Sequence, residues 1–307
     1  MKIPGSSFFK TKKLIVTHDS NFHTDDVFAA ATLSLYFEKT DQPFIIRRSR
    51  DKSDIEKADI VFDVGFVYDA ERGRFDHHQS EGAGIRENGV PYAAFGLIWK
   101  HFGLALLDQN KNIWKAVDDQ LATPIDAPDN GFSLTELVIP NIQPFYLGDV
   151  ISVLFSKGQD PDKEFFQAVI FAKKLMTEFI ERIKAGEEVK DRILDEYESS
   201  NDKKIVVAGF PTTRQMMWVA LKEKTDVLFG VFQSKTNSDW NIVAMRKTLN
   251  SFGNRKDMPE SWGGLQEVDL QKVTGVPDAV FCHRNLFLAS ARSKKGAVAL
   301  AELAVNN

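Results

Sequence analysis

Two short apolar runs constrain this chain most. Leu14-Ile15-Val16 ends at Thr17-His18, and Ile60-Val61-Phe62 ends at Asp63. Brief apolar runs closed by polar residues read as buried strands. Between them, Val27 to Phe37 is apolar almost all round and reads as a buried helix. Thr24, with Asp25 and Asp26 in the first turn, marks its start. Phe44-Ile45-Ile46 is a further strand, and Asp54 to Lys57 a helical turn. This strand–helix–strand order predicts an α/β domain with a largely parallel sheet and helices on both faces.

Beyond Asp63, a hairpin is expected with Arg72-Gly73 near its turn, delivering Arg74-Phe75 into Asp76-His77-His78. Helices are expected over Tyr92 to Phe102, ended by Gly103, and over Asn112 to Leu121. From Asp162 to Tyr197, apolar residues Phe165, Val169, Ala172, Leu175 and Phe179 recur at helical spacing in a charged background. The final third reads as strands at Lys204 to Ala208, Val227 to Gln233, Asn241 to Met245 and Ala279 to Cys282, closed by a helix over Lys294 to Ala304. The expected division is a catalytic domain over residues 1–160, a linker helix over 161–200 and a smaller α+β domain over 201–307.

Composition narrows the function classes. The chain has 307 residues, 43% of them hydrophobic, enough for two cored domains. A formal net charge of −4 argues against a basic coat for non-specific duplex binding, while allowing a local basic groove. The single cysteine, Cys282, rules out an intramolecular disulfide and thiolate zinc clusters. No apolar run is long enough to span a bilayer, and Met1 to Lys13 lacks the apolar stretch of a secretory signal, so a cytoplasmic location is expected.

Of six histidines, four fall in two aspartate-rich groups, His18-Asp19-Ser20-Asn21-Phe22-His23-Thr24-Asp25-Asp26 and Asp76-His77-His78. Ligand sites of open α/β sheets lie beyond the carboxyl ends of strands, where His18 and Asp63 stand. Carboxylates gathered there repel one another unless cations neutralise them. Mixed oxygen and imidazole donors without thiolates suit manganese, magnesium, zinc or iron. His101 is read differently, as a helix-end histidine beside terminal carbonyls.

These stretches resemble the melanocyte-proliferating-gene exonuclease family, within the DHH phosphoesterase superfamily of RecJ-type exonucleases, nanoRNases and family II pyrophosphatases. The first motif stands as Thr17-His18-Asp19-Ser20-Asn21-Phe22-His23-Thr24-Asp25, with Ser20 where the family has glycine. Asp63-Val64-Gly65, Asp76-His77-His78-Gln79 and Ile125-Asp126-Ala127-Pro128-Asp129-Asn130-Gly131 match the next three. Later matches are Ser251-Phe252-Gly253-Asn254-Arg255, Pro259-Glu260-Ser261-Trp262-Gly263-Gly264-Leu265, Thr274-Gly275-Val276-Pro277 and Phe281-Cys282-His283.

The resemblance implies a two-ion site, manganese foremost, held by His18, His23, Asp25, Asp63, His77 and one of Asp126 and Asp129. Asp76, His77 and His78 are its catalytic group, with Asp76 and His78 supporting the ligands or contacting the leaving phosphate. Asp26 is read as supporting the first turn of its helix. The superfamily's smaller domain implies that Arg246, Ser251, Arg255, His283, Arg284 and Asn285 bind substrate, with Trp262 or Phe252 stacking a base. The implied activity is 3′–5′ exonucleolytic hydrolysis of single-stranded RNA or short oligonucleotides by metal-activated water. Competing readings are a small-molecule phosphohydrolase acting on a nucleotide or pyrophosphate, and a metal-binding protein without turnover. A homo-oligomer is compatible with the sequence.

Overall fold

The computed structural model describes residues 10–137, 139, 141–158, 160–248 and 253–307. The protein is mixed α/β and divides into two compact units, Met1–Ile183 and Lys184–Asn307.

The first unit opens β1 (Lys13–Thr17), α1 (Thr24–Lys39), β2 (Phe44–Arg48), α2 (Lys52–Lys57) and β3 (Ile60–Phe62). The hairpin strands β4 (Tyr68–Asp69) and β5 (Arg74–Phe75) follow, joined by a 3₁₀ turn over Ala70–Arg72 and by Gly73 at φ +69°. A side chain on Gly73 would collide with the Asp59 carbonyl, so glycine is required there on two counts. The strand order is β2-β1-β3-β5-β4. All pairs are parallel except β4–β5; α1 and α2 provide the crossovers among β1, β2 and β3, and β4 leads the chain back so that β5 runs parallel to β3.

Alternate strand residues face two layers of unequal depth. Ile15, Ile60, Phe62 and Phe75 join the main core, where α1 packs on α3 (Ala94–Leu106) and Phe28, Phe95, Trp99 and Phe165 are fully buried. Val16 and Val61 face a small cluster completed by Ile55 of α2. Gly103 lies inside α3 rather than ending it; the indoles of Trp99 and Trp114 cover the space a Cβ would need.

Next, α4 (Lys111–Val117) runs through one π-helical turn, Asp118–Ala122, into α5 (Thr123–Asp129). Then come α6 (Leu147–Phe155) and the long helix α7 (Pro161–Ser199), whose first part packs on the core through Phe165, Ala168, Val169, Ala172 and Met176.

The second unit is built on β6 (Ile205–Thr212), α8 (Arg214–Ala220), β7 (Phe229–Ser234), β8 (Trp240–Ala244), α9 (Glu267–Thr274), β9 (Ala279–Cys282), β10 (Leu288–Ala291) and α10 (Lys294–Asn306). Its sheet order is β6-β7-β8-β10-β9, antiparallel except for β6–β7. Trp262 is 3% exposed within this unit's core, which removes it as a stacking platform. Cys282 is also buried there, and burial pushes its thiol up to about 11, away from nucleophilic use. Phe252 and Ser251 lie outside the described residues. Among the described residues, no helix is long and apolar enough to cross a membrane.

Candidate metal centre

His18 leaves the carboxyl end of β1. Its Nδ1 bonds the Asp19 carbonyl at 2.9 Å, so the proton sits on that nitrogen and Nε2 is directed inward. Nε2 lies 3.0 Å from Asp26 and 3.1 Å from Asp63. The following loop turns at Ser20, where φ is +71°. Serine therefore occupies the left-handed conformation for which the related motif uses glycine. Arg48, at the end of β2, fixes this turn: it donates to the Ser20 carbonyl at 2.6 Å and lies against the rings of Phe165 and Phe22.

Asp26 has two duties. Its Oδ1 accepts from the His23 amide at the start of α1, and its Oδ2 faces His18. The helix-start reading of Asp26 thus covers only half of its role. Its neighbour Asp25 accepts from the Ala94 amide, at the first residue of α3, through Oδ2 at 3.3 Å. The other oxygen, Oδ1, is buried without a hydrogen-bond partner.

Asp63 is the junction. It follows β3 at φ +55°, a strained conformation for a non-glycine residue. One carboxylate oxygen faces His18, and the other lies 3.3 Å from His77 Nε2. His77 Nε2 also lies 3.2 Å from Asp129. Asp76 organises this segment by accepting from the amides of Phe66, His77 and His78 and from the His78 ring at 2.7 Å. Such a carboxylate–imidazole contact orients the ring and fixes its tautomer.

Three groups of donors result: His18, Asp26 and Asp63; Asp63, His77 and His78; and His23, Asp25 and Asp129. Asp126 joins none of them. It is fully buried, with one oxygen accepting from Gly96 N and the other from Arg86 Nη2 at 2.8 Å. The structure therefore brings Asp129, three residues later on α5, to the cluster and gives Asp126 a packing role. Arg86 also binds Asp118 through Nε and Nη2 and lies over the Tyr92 ring. A Cβ on Gly96 would land on the Asp126–Arg86 pair, so only glycine lets α3 approach.

The electrostatics of the cluster favour a cation. Two like charges 4 Å apart repel by about 4 kcal/mol at an effective dielectric of 20. Burial, then the charges of Asp63 and Asp129, drive the Asp25 carboxyl well above its usual range. Burial alone would lower His18 and His77, but their carboxylate partners override it and lift both to about 10. Burial raises the Asp63 carboxyl, yet the same imidazoles hold it near 2. Without other cations, protons on imidazole supply the balancing charge. The donor set fits divalent metal: it is all oxygen and nitrogen, His18 turns its second nitrogen to a carbonyl, and Asp25 Oδ1, Asp63 Oδ1 and His77 Nε2 are buried without hydrogen bonds.

The residues expected to bind substrate separate in the second unit. Arg246, His283 and Asn285 line a cavity of ≈ 320 Å³ together with Arg214, Trp218, Asn254 and Phe287. The Arg246 guanidinium sits 3.8 Å from the Trp218 ring, and Arg214 lies near both Trp218 and Phe287. The Asn285 amide donates to His283 Nδ1 at 3.0 Å, which leaves Nε2 to carry the proton of the neutral ring. Arg255 is not part of this cavity. Its guanidinium donates to the carbonyls of Leu221, Lys222, Lys224 and Val227, so its donors are spent on closing the loop after α8. Arg284 is exposed and does not line it either. Arg214 and Trp218 were missed because α8 has only seven residues, too few for a periodic signal. His101, expected at a helix end, lies within α3 and pairs with the Tyr68 hydroxyl at 2.9 Å.

The MYG1 protein of Dictyostelium discoideum is 30% identical to this chain, over 95% of this chain and 96% of its own length. The MYG1 protein of Chlamydia trachomatis is 30% identical over 94% of this chain and 92% of its own. The human MYG1 exonuclease is 26% identical over 94% of this chain and 84% of its own. Among solved structures, RecJ of Thermus thermophilus in complex with Mn2+ aligns at a TM-score of 0.28 and 11% identity, and this chain spans about half (52%) of its length. Residues 14–305 match the MYG1 exonuclease family, described as "Uncharacterised protein family (UPF0160)", and the chain belongs to that family.

Proposed function

We propose that this protein is a metal-dependent phosphodiesterase that removes nucleotides from the 3′ end of single-stranded RNA or short oligonucleotides. The observation that carries the reading is the Asp63 carboxylate, which faces His18 with one oxygen and His77 with the other. A carboxylate so placed is suited to joining two cation sites. His18, Asp26 and Asp63 would hold one ion, and Asp63 and His77, with Asp25, Asp129 and His23, a second. Manganese is the foremost candidate, with magnesium, zinc and iron compatible with the same donors. Bound divalent cations supply a more acidic water and a clamp for phosphate oxygens.

The chain's own residues do the rest. Asp76 holds His78 at the exposed rim of the cluster, where its ring can donate to a phosphate or leaving oxygen. In the second unit, Arg214, Arg246 and the His283 Nε2–H form a donor set for an anionic group. Aromatic faces lie behind both guanidiniums, and a planar guanidinium is shaped for phosphate recognition. The exonuclease names of the mammalian relatives support nucleic acid as substrate. Polarity and the preference for RNA rest on the family resemblance.

The test is incubation of the purified chain with end-labelled RNA and manganese. A ladder shortened from the 3′ end, absent with chelator and with Asp63→Ala, is expected. Internal cuts, or intact RNA alongside release of phosphate from pyrophosphate, would transfer the assignment to another phosphoesterase class.

A further inference from the structure

A cavity of ≈ 710 Å³ opens beside the third donor group, with His23, Asp25 and Asp129 at one end. Its size falls within the range of small-molecule sites. The remaining wall includes Pro128, Phe132, Leu134 and Tyr146, with Gln120 and Gln143 between them. Phe132 and Tyr146 keep 47% and 40% of their surface exposed, so both rings are open to a ligand.

Charge decides what the cavity can take. No lysine or arginine lines it, while Asp25, Asp129 and Asp149 do. A phosphate lodged there would meet carboxylates without a balancing cation from the protein. A neutral planar group would not. Its faces would meet aromatic and proline surfaces, and its edges two amides that each offer donors and an acceptor.

We propose that this cavity receives the nucleobase of the nucleotide whose phosphodiester lies at the cluster, which rests on the phosphodiesterase reading. Phe132 and Tyr146 are the stacking surfaces. Tyr146 is pre-oriented, since its hydroxyl pairs with Thr135 at 2.6 Å and its amide donates to Asp149 at 2.7 Å. Gln120 and Gln143 contact the base edge. An amide can pair with any base by rotating, so the pocket demands a base without strongly selecting one.

The experiment compares adenosine monophosphate with ribose 5-phosphate, which shares the phosphate and sugar but lacks the base. Both are titrated calorimetrically into the full manganese-loaded chain. Adenosine monophosphate is expected to bind at least about tenfold more tightly. Phe132→Ala combined with Gln143→Ala is expected to erase that gap while ribose 5-phosphate affinity stays put; Phe132→Tyr is expected to retain it. Equal affinity of the two ligands for the unmodified chain overturns the proposal, as does a gap that survives the double substitution. Manganese-dependent turnover of bis(p-nitrophenyl) phosphate by the unmodified chain is measured in parallel. Its absence counts against the phosphodiesterase reading, whereas turnover with equal ligand affinities counts against the base pocket alone.

Discussion

The two units solve opposite electrostatic problems. The first gathers carboxylates and imidazoles at the carboxyl ends of parallel strands and thereby creates a need for cations. The second, on a mostly antiparallel sheet, sets two guanidiniums against the faces of Trp218 and Phe287 and so gathers positive charge. They also differ in what burial does. Asp25, Asp26 and Asp63 are almost wholly buried, so their mutual repulsion is little screened. Arg214 is exposed and Arg246 only partly buried, so solvent and salt weaken their pull. A deep carboxylate–imidazole cluster and a shallow pair of guanidiniums should therefore respond very differently to substitution.

The sharpest break comes from Asp63→Ala. It should lower manganese-dependent turnover by about a thousandfold or more, equivalent to roughly 4 kcal/mol of barrier. Metal content by mass spectrometry should fall with it, while far-ultraviolet circular dichroism stays unchanged. An Asp63→Ala protein that keeps both its metal and its turnover would dissolve the contrast between the units. Next in size is Arg86→Met, which strands Asp118 and Asp126 in the core. Removing one partner of a buried ion pair costs about 3–5 kcal/mol. Urea unfolding should show that loss, and Gly96→Ala should act in the same direction because its methyl displaces the same pair.

Asp76→Asn should weaken metal affinity or turnover by about 10–100-fold, the usual effect of removing a residue that orients ligands. Arg246→Ala should raise KM for oligonucleotides by about tenfold, corresponding to a hydrogen bond with a charged group, and leave metal content intact. Arg246→Lys should not restore it, because an ammonium lacks the planar fork. High salt should erode the Arg246 effect and spare that of Asp63.

The contrast also has a pH signature in the protein without substitutions. In chelated protein, His18 and His77 have folded values raised to about 10. Their contribution is complete below about pH 6.5 and is lost as the pH rises toward 10. Asp63, held near 2, contributes above about pH 4 and loses that contribution as the pH falls through 2. Thermal melts of the chelated chain should therefore decline from pH 6.5 to 10. The manganese-loaded chain should not show this decline, since the metal replaces the imidazolium protons.

Much of the first unit was legible because strand ends are local signals. The runs ending at His18 and Asp63 mark both the sheet and the edge where the carboxylates and imidazoles gather. What sequence could not supply were choices made by distant partners. Asp126 and Asp129 sit three apart in one matched motif, and a residue 40 positions from Asp126 assigns their roles. Arg255 lies inside a matched motif too, but its donors are committed to carbonyls more than 25 residues away. The exposed aromatics around the ≈ 710 Å³ cavity carried no periodicity, so nothing marked them as a wall.

The π-helical turn at Asp118–Ala122 has a consequence for how this family can change length. In an uninterrupted α-helix, residues eight apart fall about 80° out of line. The wider turn removes most of that offset, which lets one guanidinium grip Asp118 and Asp126 together. Deleting a single residue from this stretch would swing Asp129 around the axis by about 100° and point it away from His77. Insertions and deletions between residues 118 and 129 should therefore be far less tolerated than conservative replacements at the same positions.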